Sequence, residues 1–428
     1  MIEKRGQAPF PPRKRCLTPF LAPGERRPVA EAALLFFLGL SAYYVLKPVR
    51  SSLFLHEFSA EELPWVNLLT MAVTFGAAWV FERLTHRARL DRLAPAVLLF
   101  FAANIAVLWA LLQRPVGAKG ATVAFFVWVS VFNLFTPALA WSLAHRVFDP
   151  EQGRRLYGLI GGGAIAGALA GSLVSNRLAE LIGTEGLIPV AAVLLVPAAA
   201  LARRLARRGT RMGAQATAAR ADARSGLALL FGSAPVRGIA LVVFCYTALA
   251  SLLDFQTLAT VRAGIADKDE RTAWLGGLFL AVNVLGLLIQ LGLTGPVQVR
   301  WGPRPGLLAL PLANALAALA FLASPGLRVV GLCAIVDQAL TYSIHQSSKE
   351  LLYVPAGEAV KVRAKAFVDT FVFRAGSAAA AVTLLVWNRL LPGQARWLAV
   401  LIVPAAVAWA IIAERLARRF LAGRAREE

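Results

Sequence analysis

Twelve apolar runs of about twenty residues divide this chain, each long enough to cross the hydrocarbon of a bilayer as a helix. Backbone inside hydrocarbon has no water to bond, so runs of this length specify helices that satisfy their own amides. The first six are predicted at 30–47, 63–81, 93–112, 121–144, 156–178 and 187–202. The second six are predicted at 236–261, 272–293, 305–323, 327–351, 366–386 and 397–413. Of the 428 residues, 58% are apolar and 16% charged, and the mean hydropathy is +0.63, which excludes a soluble protein of this size. The expected fold class is all-α: a polytopic membrane protein with twelve transmembrane helices in two six-helix halves, as in transporters built from parallel repeats.

The formal net charge is +21, which raises nucleic acid as a partner. Counting Lys and Arg by loop removes it. The two tails and the loops after even-numbered spans hold 33 of the 45 basic residues, with Lys349 counted beside its loop, against 11 on the other side. By the positive-inside rule both termini and the central loop are cytoplasmic. The basic excess is thus topological, and the partners expected are a lipid bilayer and a small molecule, with no nucleic acid. Residues 1–29 form a proline-containing basic tail without a cleavable signal, 203–235 a basic linker, and 416–428 a second tail; the halves are 30–202 and 236–415. Cys16, Cys245 and Cys333 are isolated, so neither disulfides nor a metal site is expected, and no cofactor is implied.

Two stretches echo each other across the halves. LAHRVFDPEQGRRLYGLIGGGAIAGALAGSLV from Leu143 and KELLYVPAGEAVKVRAKAFVDTFVFRAGSAAAAV from Lys349 both pass through a proline and a basic pair into a span of small residues. In the first, Gly163, Gly167 and Gly171 fall on one helix face at four-residue spacing. Static helix packing is the plainer reading of such a face, and gating contact is compatible with it.

Ionisable groups at membrane depth need a partner, a watery cavity or a substrate. The densest set lies between Tyr342 and Gly376. In the tenth span Asp337, Gln338, Thr341, His345, Ser348 and Lys349 recur at spacings of three and four, a polar stripe expected to line protein or a cavity wall. In the eleventh, Arg374 is the foremost intramembrane cation, with Asp369 or Asp337 as alternative structural partners. At the end of the first span, AYYVLKPVRSSLFL carries Lys47 and Arg50 three residues apart, readable as interface-anchoring side chains or as an anion-binding pair with Tyr43 nearby. Asp254 lies near the predicted outer end of the seventh span, as an interfacial group or a proton carrier. Asn283 and Gln290 share a face of the eighth, where amides more often link helices than bind ligands. No hydrolase or transferase signature is present, and GLIGGG lacks the Gly-Lys-Ser/Thr of a P-loop, so no enzyme is expected.

YYVLKPVRSSLFL, RRLYGLIGGGAIAGALAGS, LLDFQTLATVRAGIADKDERTAWLGGLF, and SSKELLYVP with KVRAKAFVDTFVFRAG together resemble the bacterial branch of the nucleotide transporter family. That family, also called the ATP/ADP carrier or NTP/NDP exchange family, is a twelve-helix group similar to the major facilitator superfamily. The resemblance implies a bacterial inner-membrane antiporter of ATP and ADP. It places Lys47 and Arg50 on first-span basic residues at the phosphates, and Lys349 and Glu350 on an Arg-Glu pair. Lys365, Asp369 and Arg374 fall on the Ala-Lys-x-x-x-Asp-x-x-x-x-Arg pattern. Ser51 and Ser377 stand where relatives usually have acids, and Gln346 where an arginine is common, so the pocket's charge balance differs.

The leading expectation is a secondary transporter of a nucleotide or another phosphorylated or anionic metabolite. Lys47, Arg50, Lys349, Arg374 and His345 would bind it, and Asp369 would orient Arg374. One alternative is proton-coupled export of a lipophilic or cationic compound through Asp254, Asp337 or His345. Another is a non-transporting scaffold, favoured if Lys47 and Arg374 lie apart or the pocket is too small for a metabolite.

Overall fold

The computed structural model describes residues 21–22, 24–87, 90–114, 117–209, 230, 232–353, 364–365 and 367–424. The predicted tail up to residue 20, most of the central linker, Cys16, Glu358, Lys361 and Arg363 lie outside them. Twelve helices are long and apolar enough to cross a membrane, and no strand occurs among the described residues. They are α1 (Arg26–Glu57), α2 (Leu63–Arg87), α3 (Leu90–Leu112), α4 (Ala118–Val147), α5 (Pro150–Ile182), α6 (Leu187–Gly209), α7 (Ala234–Gly264), α8 (Lys268–Trp301), α9 (Arg304–Ala323), α10 (Leu327–Leu351), α11 (Val368–Leu390) and α12 (Ala399–Arg424). Twelve alternating spans bring both ends of the chain to one end of the bundle, the near end.

α1 outruns its predicted span by ten residues and α7 by three, which sets Lys47 and Asp254 deeper than the sequence places them. Lys47 stands ten residues before the end of α1, and Asp254 ten residues before the end of α7. At ~1.5 Å per residue each lies roughly 15 Å from the far end, near the middle of a ~30 Å hydrocarbon core, and neither is a terminal anchor. Pro48 sits inside α1. It has no amide proton for the Tyr44 carbonyl one turn back. Ser175 of α5 fills that gap, its hydroxyl donating to Tyr44 O at 3.3 Å and Val45 O at 3.1 Å. The proline is tolerated beside Lys47 because the neighbouring helix completes the backbone bonding.

The glycine face of α5 packs on α1. A Cβ on Gly163, Gly167 or Gly171 would collide with the backbone of Ala33, Phe37 and Ser41 respectively, so the two helices approach one another along three successive turns. Ser41 donates its hydroxyl to Gly167 O at 3.1 Å along the same seam. In the other half Gly376 of α11 lies against Thr247 and the Phe244 carbonyl of α7. The echoing segments therefore end in helices with equivalent places, α5 on α1 and α11 on α7. Between halves, α5 meets α8, where Gly276 lies against Asn176 and Asn176 Nδ2 donates to Ala273 O at 2.9 Å.

Three π-helical turns interrupt the second half, Gln290–Thr294 in α8, Thr341–His345 in α10 and Val368–Val372 in α11. Such a turn takes an extra residue and rotates every side chain beyond it relative to the ideal helix.

Candidate functional site

A cavity of about 40 Å³ lies between the halves, lined by Lys47, Arg50 and Ser51 of α1, Asp254 of α7, Phe279 of α8 and Gln338 of α10, among others. The two cations are held chiefly by rings and a hydroxyl. Lys47 Nζ sits 3.7 Å from the centroid of Phe279 and 5.5 Å from that of Tyr44. Arg50 lies over Phe126 with Cζ 4.7 Å from the centroid, and its guanidinium donates to Ser130 Oγ of α4. Its Nε has no hydrogen-bond partner among the described residues. Asp254 feels both cations across the cavity, and among the described residues no ion pair within 4 Å joins it to either. Cation–π contact leaves N–H groups free to meet an anion, so the pair is held in place without being saturated.

Tyr342 lies outside the lining of this cavity. It is 62% exposed although it lies well inside α10, and it sits within electrostatic reach of Tyr43, Tyr44 and Tyr246. Tyr342 and Gln338 are four apart and share a face.

The other site residues go elsewhere. Asp337, His345, Ser348 and Lys349 are buried, so this part of the stripe packs inside the second half and forms no cavity wall. His345 sits between Tyr246 and Trp409, at centroid distances of 5.5 and 5.6 Å. Lys349 Nζ reaches Asp369 Oδ1 at 3.1 Å, and Lys365 Nζ reaches Glu350 Oε2 at 2.6 Å, two ion pairs that join α10 to the start of α11. Asp369 therefore does not orient Arg374. Asp369 lies within the π turn with its carboxylate on Lys349, while Arg374 Cζ rests 4.7 Å from the centroid of Phe75 on α2 of the other half. Arg374 does not line the cavity. Asn283 and Gln290 link helices: Asn283 Nδ2 donates to Ser172 Oγ of α5 at 3.4 Å, and Ser347 Oγ of α10 donates to Gln290 Oε1 at 3.4 Å.

At the far end, bonds join the halves. Ser52 Oγ donates to Lys268 O at 2.7 Å, Thr184 N to Asp269 Oδ1 at 2.7 Å, and Gly393 N to Glu61 Oε1 at 2.8 Å; Lys268 pairs with Glu185. The centre of this seam is Arg271, 0% exposed. Its Nη2 donates to Ile265 O at 2.8 Å and Ala266 O at 3.2 Å, and its Nη1 to Ser52 O at 3.3 Å. It thus closes the carbonyl end of α7 and binds α1 in one side chain. Sequence reasoning missed Arg271, because backbone carbonyls as partners leave no pattern. At the near end, by contrast, the pairs Glu25 with Arg155, Glu31 with Arg208 and Arg304 with Glu414 each stay within one half.

These features define an all-α membrane protein of the major-facilitator fold, with a cationic pocket between its halves. The nucleoside transporter NupG (D323A mutant) has the same fold, with a TM-score of 0.62 at 12% identity over 91% of this chain and 99% of that one. A bacterial homologue of the iron transporter ferroportin gives 0.67 at 15% identity over 92% and 99%. Residues 327–420 match the family model described as TLC ATP/ADP transporter. Over 213 residues the chain is 24% identical to ADP,ATP carrier protein 1 of Chlamydia muridarum (strain MoPn / Nigg) and of Chlamydia pneumoniae. The first of these matches takes in 44% of this chain and 40% of the relative, so it spans less than half the relative's length. The resemblance to the ATP/ADP carrier family seen in the sequence is thereby borne out.

Proposed function

We propose that this chain is a secondary transporter of the bacterial inner membrane, with cytoplasmic termini, that moves a nucleotide or another phosphorylated or anionic metabolite by alternating access. The observation that carries this reading is the pair Lys47 and Arg50, held at mid-membrane by aromatic rings and open to a cavity instead of bonded to carboxylates. Charge at that depth is costly, and an anionic substrate offsets the cost. The names of the relatives support a nucleotide as that anion.

A cavity of 40 Å³ admits only a few waters. That size, and the place of Arg374 outside the cavity, are the features expected of a non-transporting scaffold. On the transport reading the substrate enters when the halves separate, and the small cavity is the closed form of the cleft. In the empty protein Asp254 offsets part of the charge on Lys47 and Arg50; a phosphate group replaces it when bound. His345, Lys349 and Asp369 act in this account as structural supports of α10 and α11, and Arg374 as a contact between the halves. Uptake of labelled ATP, ADP and other nucleotides into proteoliposomes tests the proposal. Gradient-driven uptake or exchange of at least one is expected, and none under either gradient would refute it.

A further inference from the structure

We infer that the outer face of α9 and α12 holds an acidic phospholipid, its headgroup at an arginine cluster and its acyl chains in an apolar trough. The trough has a volume of about 540 Å³ and is separate from the cavity between the halves. Its floor includes the small residues Ala315 and Ala410, and its rim the exposed Leu312, Val407 and Ile411. Small residues flanked by large ones leave a channel that the protein itself does not fill. In a membrane such a channel meets lipid.

Charge is confined to one end. Arg304, Arg415 and Arg418 stand there around a single carboxylate, Glu414. Arg304 binds that carboxylate with both nitrogens, Nε at 2.8 Å and Nη2 at 2.6 Å, and Arg418 Nε adds a third bond at 2.6 Å. Glu414 thus fixes two guanidinium groups from different helices and neutralises one charge of three. Exposed Arg415 has no carboxylate partner among the described residues. The cluster keeps a net positive charge with several donors unspent, and guanidinium donors match phosphate oxygens.

Length supplies the second constraint. Arg304 and Ala315 are eleven residues apart on α9, roughly 16 Å along the helix axis, about half of a ~30 Å hydrocarbon core. The trough therefore reaches one leaflet deep from the edge where the arginines sit. A molecule with an anionic head and chains one leaflet long fits it, and basic pockets between helices on the cytoplasmic side recognise such heads. The near end, where this cluster lies, is also the side on which basic residues are concentrated.

Native mass spectrometry of the purified full chain tests this, with phosphatidylglycerol and phosphatidylcholine of identical acyl chains as competing probes. The wild-type protein is expected to keep at least one phosphatidylglycerol adduct in preference to phosphatidylcholine, less so as ionic strength rises. Arg415→Gln is expected to weaken that preference about fivefold, the effect of one basic residue near an anionic surface. Ala410→Phe fills the trough and leaves every arginine in place; it is expected to remove the adduct. Equal retention of the two lipids, or an adduct unchanged in both variants, would overturn the inference. Neither readout depends on transport, so the result stands apart from the fate of the proposed substrate.

Discussion

Replacing Lys47 by glutamine keeps a long side chain and removes the charge over Phe279. A hydrogen bond to a charged group is worth ~1.5–3 kcal/mol, so anion affinity should fall roughly tenfold to a hundredfold, as read from the substrate dependence of uptake. Asp254→Asn makes a different prediction. The empty carrier would then have to enclose two cations without an acid, which is costly in a low dielectric, whereas the loaded carrier is neutralised by its substrate. Net uptake into empty vesicles should drop more than exchange into preloaded ones, and equal losses would contradict the role given to Asp254. At the far end Asp267 caps α8, its carboxylate accepting from Asp269 N at 2.9 Å and Glu270 N at 2.8 Å. The Glu270 amide, with lesser help from Asp269, Lys268 and Arg271, holds its carboxyl below the usual value of 3.8. A depressed folded value means that this cap contributes fully above pH ~4 and is lost as pH falls through the folded value. Asp267→Ala should cost about 1 kcal/mol in thermal unfolding at neutral pH, with a smaller difference in strong acid.

At the scale of the element, the α1–α5 seam gives an internal contrast. A Cβ on Gly167 would lie 2.9 Å from Phe37 Cα, whereas one on Gly161 or Gly162 meets nothing within 4 Å. Gly167→Ala should therefore destabilise by ~1–3 kcal/mol, and Gly162→Ala by much less, measured as thermal unfolding in detergent. This seam was legible in the sequence, because four-residue spacing assigns glycines to one face whatever they meet. The depth of Lys47 and Asp254 was not. A hydropathy window stops where charge gathers, while the helix continues wherever packing and backbone bonds allow, here ten residues beyond the predicted end of α1 and three beyond that of α7. The assignment of Arg374 to Asp369 failed for a simpler reason. Residues five apart stand about 140° apart around an α-helix, outside the three- and four-residue spacings that bring side chains together, and Asp369 meets Lys349 of α10 instead.

At the scale of the molecule, the twelve spans and their grouping were legible because membrane hydrocarbon imposes a length on every crossing. The closure at the far end was not, since Arg271 grips carbonyls that any sequence supplies. Arg271→Gln should free the carbonyls of Ile265, Ala266 and Ser52 and loosen the half-to-half seam. With Cys16, Cys245 and Cys333 replaced, Thr257→Cys on the cavity wall should react several-fold faster with an impermeant maleimide from the far side in that variant. The central claim is that Lys47 and Arg50 form an anion site between the halves. Thermal stabilisation of the purified protein by ATP, ADP and other phosphorylated metabolites, compared between wild type and the Lys47→Gln, Arg50→Gln double variant, tests it most directly. The wild type is expected to be stabilised by at least one such anion and the double variant by none. Stabilisation that persists undiminished without both cations would contradict it.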